Sequence, residues 1–453
     1  MRKLIVTTAL AIATVVAAAP DAAAGSDVNG EGLGPNAYVP GELLVRFDGG
    51  GEKLLELPQG VDLGAARKAL AANPKVSYAL PNYIAHKSGI PNDPGPAGIA
   101  GGWQRTQWNF LPCGSLCGQS ATPFPYEARG GLNAVDAWTI LEQRGGAGGK
   151  GARVAVLDTG VAYLTKKPKF RRSPDFSPRQ FLPGYDFVDK NTMPLDRDGH
   201  GTHIAGTIAE QIGNKIGLTG LAPRAKIMPV RVLDSEGLGT ARDIAKGIRW
   251  SAKRKAHVIN MSFEFGPGIN SCGKVKGICS AIKYASKRRA LVVAAAGNSN
   301  GEPVAYPAAA PHAIGVGRTT KDACLANDSR TGTGLDLVAP GGGFPLLETC
   351  GTDDPVFGRG LPIVQLTFAG RPTRFGYPMG YEGTSMAAAH VSGVAAMVIA
   401  SRVVGRKPGA LECQLEATAR HTDQELGQPY DSRLFGAGLV DAANAVRARA
   451  PGC

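Results

Sequence analysis

The chain has 453 residues, with Gly 62, Pro 32, aromatic content of 6% and charged content of 19%, and Lys+Arg 50 against Asp+Glu 37 leave a net charge of +13. That length exceeds what one hydrophobic core usually fills, so more than one folding unit is expected, and the Gly and Pro content with moderate charge excludes a helical bundle and a disordered chain. With no nucleic-acid motif and few aromatics, basic runs such as Lys166-Lys167-Pro168-Lys169-Phe170-Arg171-Arg172 and Lys287-Arg288-Arg289 are read as solvated surface rather than a nucleic-acid interface.

Met1 to Ala24 reads as a secretory leader: Arg2 and Lys3, an apolar run from Leu4 to Ala19, then Ala22-Ala23-Ala24 before Gly25. No later stretch is expected to cross a bilayer, so the mature chain is expected to be exported, free of the membrane and monomeric. Eight cysteines in an exported chain point to disulfides rather than metal ligands. Pairing of sequence neighbours gives Cys113–Cys117, Cys272–Cys279, Cys324–Cys350 and Cys413–Cys453.

Val39 to His86 reads as a small α+β unit. Gly41 to Phe47 and Val76 to Leu80 alternate as strands, and Leu63 to Ala72 has helical spacing. Such a unit behind a leader is either a binding module or a propeptide. Ser88 to Gly102 has the composition of an exposed linker, where proteolysis concentrates. Pro91 to Gly131 shows little periodicity and is expected to form an irregular arm, followed by a helix over Leu132 to Glu142 with Val135, Trp138 and Leu141 on one face.

Arg153 to Leu157 is a buried strand ending in Asp158-Thr159-Gly160, and functional groups gather at strand carboxyl ends in α/β folds. A lone strand-end Asp is more often a turn-former. Asp198-Gly199-His200-Gly201-Thr202-His203 is a glycine-interrupted turn into a helix. His200 could act as a general base, whereas His203, one turn on, reads as a packed core residue. The spacing does not match His-Glu-x-x-His, so zinc is not expected.

Strands over Lys226 to Leu233, Val258 to Phe263 and Leu291 to Ala296 alternate with helices over Asp243 to Lys255 and Cys279 to Arg288. This rhythm predicts a doubly wound, mostly parallel sheet flanked by helices, an α/β fold. Asn298 follows the last of these strands, where its amide could donate to an oxyanion or simply form a turn. Gly383-Thr384-Ser385-Met386-Ala387 then opens a helix that runs to Ser401. Taken alone this is a capped core helix; it also suits a nucleophile, because a helix N-terminus offers unpaired N–H groups.

Together Asp158-Thr159-Gly160, His200-Gly201-Thr202-His203 and Gly383 to Ala387 resemble the three signatures of the subtilases, the subtilisin-like serine endopeptidases, in the order Asp, His, Ser. Gly220-Leu221-Ala222-Pro223, Ala295-Ala296-Gly297-Asn298 and Val338-Ala339-Pro340-Gly341 extend the resemblance, which covers about Asn92 to Arg447. It implies a signal peptide over 1–24, a propeptide over 25–90 and a catalytic domain over 91–453. By the same resemblance Ser385 is the nucleophile, His200 the base, Asp158 its orienting acid and Asn298 the oxyanion donor. It further implies polypeptide substrates and self-cleavage near Ser88 to Asn92, with the chain's own propeptide as partner. Substrate is expected along Ser262, Phe263, Glu264 and the Leu238-Gly239 turn.

No cofactor is implied for catalysis. Structural calcium is implied by the loop Ile212 to Leu218, with Asn214 and Asp175 as ligands, and Asp186, Asp189, Asp196 and Asp198 form a second candidate cluster. Two positions depart from the family: Ala389 stands where Pro usually precedes the signature histidine, His390, and Glu264 stands where glycine is usual. Glu264 could draw basic side chains into the specificity pocket or point to solvent. A dedicated processing peptidase and an inert binding protein on the same fold are the rival readings.

Overall fold

The computed structural model describes residues 38–83, 91–114, 126–299, 301–347, 350, 360–422 and 429–453. The leader, Ser88 to Ile90 in the expected cleavage segment, and Cys117 with its expected bridge lie outside the described residues. The chain divides into two compact units, whose described residues are 38–83 and those from 91 onward.

In the smaller unit, strands β1 (Tyr38–Phe47), β2 (Glu52–Glu56) and β3 (Val76–Tyr83) form an antiparallel sheet in the order β2-β1-β3. Helix α1 (Leu63–Ala71) starts where the Asp62 carboxylate accepts the Ala65 N–H at 2.6 Å, an N-cap. Leu43 and Val45 alternate inward from β1 and join Ala66, Leu70 and Ala79 in a small core. The sequence gives no sign of β2, because four of its five residues are exposed and no apolar alternation marks it.

The larger unit is built on seven strands: β4 (Arg153–Asp158), β5 (Tyr185–Asp186), β6 (Lys226–Arg231), β7 (Val258–Met261), β8 (Leu291–Ala295), β9 (Ala313–Thr319) and β10 (Leu337–Pro340). Their order is β10-β9-β8-β7-β4-β6-β5, and every pairing is parallel. All residues of β7 and β8 are buried, as a sheet covered on both faces requires. The chain passes from β6 to β7 over β4, so the carboxyl ends of β4 and β7 flank a topological switch point, where ligands of such sheets bind.

Helices α2 (Ala134–Gln143), α3 (His200–Ala209), α4 (Ala241–Lys253), α5 (Lys276–Lys287), α6 (Thr384–Ser401), α7 (Pro408–Ala417), α8 (Ser432–Phe435) and α9 (Ala442–Arg447) flank the sheet. Val135, Trp138 and Leu141 of α2 are buried together as their spacing predicts. Helix α6 packs against β7, β8, β9 and β10, and within it only Ser385 and Ser401 escape burial. It is long and apolar enough to span a membrane, contrary to the sequence expectation that no such stretch exists, and its burial marks it as the core helix. Cys272–Cys279, Cys324–Cys350 and Cys413–Cys453 are bonded as neighbour pairing predicts.

Candidate active site

Asp158 closes β4 and is wholly buried. Its Oδ1 accepts the Thr159 N–H at 2.8 Å and lies 2.7 Å from His200 Nδ1, so the imidazole carries its Nδ1 proton toward the carboxylate and leaves Nε2 as the basic nitrogen. His200 is the first residue of α3. A Cβ on Gly201 would sit 2.1 Å from the Gly160 carbonyl, so only glycine lets this helix approach the end of β4 so closely. The approach is pinned by Asp196, whose carboxylate accepts from the Thr159 hydroxyl (2.9 Å), the Thr202 hydroxyl (2.6 Å) and the Thr202 N–H (2.9 Å). The Thr159 hydroxyl in turn accepts the Gly201 N–H at 3.0 Å.

Burial works against a charge on His200, but the charge and hydrogen bond of Asp158, with Asp198 and Asp196 behind it, outweigh that effect and raise the imidazole above its ordinary pKa. The side chain keeps 22% of its surface open. His203 is wholly buried, donates from Nε2 to the Ile363 carbonyl at 3.0 Å, stacks on Tyr381 and is driven by burial down to about 3. It is a neutral packing residue, as its place in the helix predicts.

Ser385 is the second residue of α6. Its hydroxyl donates to the Ser262 carbonyl at 3.0 Å, and the Ser262 hydroxyl donates to the Ser385 carbonyl at 2.7 Å. Ser262 Oγ also accepts from Asn260 Nδ2 at 2.9 Å, while Asn260 Oδ1 accepts from the Ser392 hydroxyl at 2.8 Å. A buried chain of polar groups thus fixes the first turn of α6 to the end of β7. Two α6 turns are also anchored through His390, whose Nδ1–H donates to the Met386 carbonyl at 2.8 Å and whose Nε2 accepts from Asn109 Nδ2 at 2.7 Å. The helix is unbroken at Ala389, where the family usually has proline.

Asn298 lies beside this helix start. Its Oδ1 accepts the Thr384 N–H at 2.8 Å and the Thr384 hydroxyl at 3.1 Å, which assigns the amide orientation and leaves Nδ2 as its donor. The Thr384 hydroxyl also accepts the Gly297 N–H at 3.1 Å. Thr384 stands next to the serine in the motif, but its role comes only from these contacts across the fold.

Ser262 is buried, Phe263 and Glu264 are partly exposed, and Leu238 is exposed beside Gly239 in the turn before α4. The Glu264 carboxylate is held by two neighbours. Its Oε1 accepts the Asn298 N–H at 3.0 Å, and its Oε2 lies 2.9 Å from the Arg330 guanidinium.

The candidate calcium ligands do meet, but as a hydrogen-bonded pair: Asn214 Nδ2 donates to Asp175 Oδ1 at 2.7 Å, and Asn214 Oδ1 accepts the Ile216 N–H. Asp93, missed in the sequence, accepts the N–H groups of Gly213 (2.8 Å), Asn214 (3.0 Å) and Lys215 (3.2 Å). Glu210 is wholly buried nearby, with neither carboxyl oxygen hydrogen-bonded among the described residues. Burial raises Asp175 to about 8 and Glu210 well above its ordinary value, each also opposed by the other carboxylates. This excess of buried acid is chemistry that a cation would relieve. Among the described residues, however, no group of three His, Cys, Asp or Glu is arranged around one point. The second expected cluster is taken apart by bonding: Asp186 and Asp189 face Arg231 (3.0 and 3.3 Å), and Asp196 is held as above.

These residues are a buried carboxylate, an imidazole with a basic Nε2, a serine on a helix N-terminus and an amide donor, the group types that acyl transfer through a serine uses, and the Ser385 hydroxyl is bonded here to the Ser262 carbonyl rather than to His200. The sequence model of the Subtilase family matches residues 149–438. The thermophilic serine proteinase of Bacillus sp. (strain AK1) is 33% identical over 355 residues, 78% of this chain and 70% of that protein. Subtilisin BL of Lederbergia lenta is 34% identical over 302 residues, 67% of this chain and 93% of that protein. The solved structure of a protease from Pseudoalteromonas arctica PAMC 21717 aligns with TM-score 0.59 and 29% identity, covering 79% of this chain and 99% of that one. By the match of its family, its fold and its relatives, the chain belongs to the subtilase family and is a subtilisin-like serine protease.

Proposed function

We propose that this protease is a secreted endopeptidase, made as a self-processed zymogen, that cuts polypeptides through Asp158, His200 and Ser385. The observation that carries the reading is the 2.7 Å contact of buried Asp158 with His200 Nδ1, in a chain whose Ser385 is the one residue not buried in the first turn of helix α6. In this mechanism His200 Nε2 takes the Ser385 proton as Oγ attacks the scissile carbonyl carbon. The resulting oxyanion is held by the Ser385 N–H and Asn298 Nδ2. His200 then gives the proton to the leaving amine as the C–N bond breaks. Water, deprotonated by His200, attacks the acyl-enzyme, and the carboxylate product leaves Ser385 with its hydroxyl restored. Asp158 keeps its proton count throughout and stabilises the imidazolium. Substrate runs extended along Ser262, Phe263 and Glu264 and past Leu238-Gly239, paired through main-chain groups.

The unit over 38–83 serves as propeptide, and three disulfides among the described residues support an oxidising, extracellular destination. A structural calcium ion, supplying charge neutralisation alone, would be held by Asp175 with Asn214. Intact mass of the secreted product, wild type beside Ser385→Ala, tests the reading. Wild type should begin near Ser88 to Asn92 while the variant keeps the residues from Gly25 onward. Identical trimming of both would show that another protease matures the chain.

A further inference from the structure

The side chains of one charged pair beside Asn298 have no part in the chemistry above, which uses Glu264 only through its main chain. Arg330 is almost wholly buried, and among the described residues the one acidic partner of its guanidinium is Glu264, at 2.9 Å. The angle of that contact lies outside hydrogen-bond geometry, so the attraction is Coulombic. Arg330 Nη1 also donates to the Pro303 carbonyl at 3.3 Å. The two residues grip one short stretch of backbone from both sides. The Arg330 N–H donates to the Gly297 carbonyl at 3.1 Å, and Glu264 Oε1 accepts the Asn298 N–H at 3.0 Å.

Gly297 has φ +111°, and a Cβ there would lie 2.6 Å from Arg330 Cδ, Arg330 Nε and Glu264 Oε2 alike, so the pair is packed directly on that α-carbon. A guanidinium this buried is costly without its carboxylate, which keeps Glu264 turned inward. Its charge therefore serves Arg330 and the Asn298 amide N–H rather than a substrate cation. Thr384 locks the Asn298 side chain from the opposite side.

The geometry points to Glu264 and Arg330 as positioning residues that hold the Gly297-Asn298 backbone so that Asn298 Nδ2 faces the developing oxyanion, and it assigns Glu264 no part in choosing basic residues before the scissile bond. The inference rests on the reading of Asn298 as oxyanion donor. Neither residue touches the reacting atoms, so their loss should appear in kcat and leave KM in place.

The test is a double-mutant cycle on the full chain, with active sites counted by a serine-directed phosphonylating reagent so that misfolded molecules do not enter kcat. Glu264→Gln keeps the shape and one acceptor but removes the charge. It should lower kcat about tenfold, the scale of one weakened charge-assisted hydrogen bond, with KM unchanged. Arg330→Met should lower it further, and Arg330→Lys should recover part of the loss. Asn298→Ala should lower kcat about 10²–10³-fold, a range characterised in subtilisin itself. In that background Glu264→Gln should have no further effect.

Additive losses would overturn the positioning role while leaving the oxyanion reading intact. An Asn298→Ala variant with near-normal kcat would overturn both. A Glu264→Gln effect confined to KM, and to peptides with Lys or Arg before the scissile bond, would make Glu264 a specificity residue and overturn the inference. Should Arg330→Met fail to give active sites, Glu264→Gln alone decides.

Discussion

The substitution Asp158→Asn isolates the charge behind the imidazole. The carboxylate oxygen and His200 Nδ1 are 2.7 Å apart, and at an effective dielectric of about 20 a charge pair at that distance is worth about 6 kcal/mol. That attraction is fully developed only when His200 is an imidazolium, in the transition state, so its loss should lower kcat by roughly 10⁴-fold. The pH profile gives an independent check. The proposed mechanism requires neutral His200, whose pKa is raised because Asp158, with Asp198 and Asp196, outweighs burial. Without the Asp158 charge burial gains ground, and the acid limb of kcat/KM should move to lower pH even as the plateau falls. The same substitution can also place an amide NH₂ at the buried position of Asp158 Oδ2, which has no hydrogen-bond partner among the described residues, at a cost of about 1–3 kcal/mol in stability. Steady-state cleavage of a chromogenic peptide between about pH 5 and 9, with active sites titrated, measures the kinetic effects. A loss under tenfold, or an acid limb that stays in place, would refute the account.

Ser262→Ala removes the link between Asn260 and the Ser385 carbonyl and strands the buried Asn260 amide; a stability loss of about 1–3 kcal/mol with a lowered kcat is expected, checked by calorimetry and kinetics. His203 and His390 sit at about 3 and about 4 when folded because burial lowers them below their unfolded values. Their contribution is therefore complete above about pH 6.5 and lost as pH falls, by about 3 kcal/mol for His390 at about pH 4. The raised Asp175 and Glu210 act with the opposite sign, so the readout is the difference between Ser385→Ala and Ser385→Ala/His390→Gln, whose stability should fall less steeply below about pH 6.5. Millimolar calcium should raise the melting temperature of Ser385→Ala and a chelator should reverse the rise, whereas Asp175→Asn should abolish the response; a protein with Asp175 intact that ignores calcium would remove calcium from the reading.

What was legible in the sequence was local. Asp158, His200 and Ser385 each stand in a short motif whose glycines and small residues are demanded by close approach, as at Gly201. The β–α rhythm announced the parallel sheet. Strand β9 stayed hidden because Gly315 and Gly317 break its apolar run, and hairpin strands Thr367–Arg371 and Arg374–Gly376 because most of their residues are not buried. Partnerships across long separations were not legible at all. Glu264 read as an open acid because nothing near it in sequence names Arg330, and Asp93 stood in what looked like a linker until the loop at Gly213 to Lys215 came to meet it. Asp196 stands in an acid-rich run, and nothing in that run names its hydroxyl partners Thr159 and Thr202, although both lie in the Asp158 and His200 motifs.

The all-parallel pairing of the large sheet has a temporal consequence. Parallel neighbours cannot be joined by a tight turn, so each pairing closes a long loop, and proteins rich in such distant pairings fold slowly. The small antiparallel unit, joined by short connections, is suited to form first. The acid and the imidazole are 42 residues apart, and Ser385 reaches its Ser262 anchor across 123. A centre built from Asp158, His200 and Ser385, as proposed, therefore needs contacts that close across these separations and would be absent from an early collapsed form of the chain. On the proposed reading, a nascent molecule would be harmless to itself until most of the large sheet is in place.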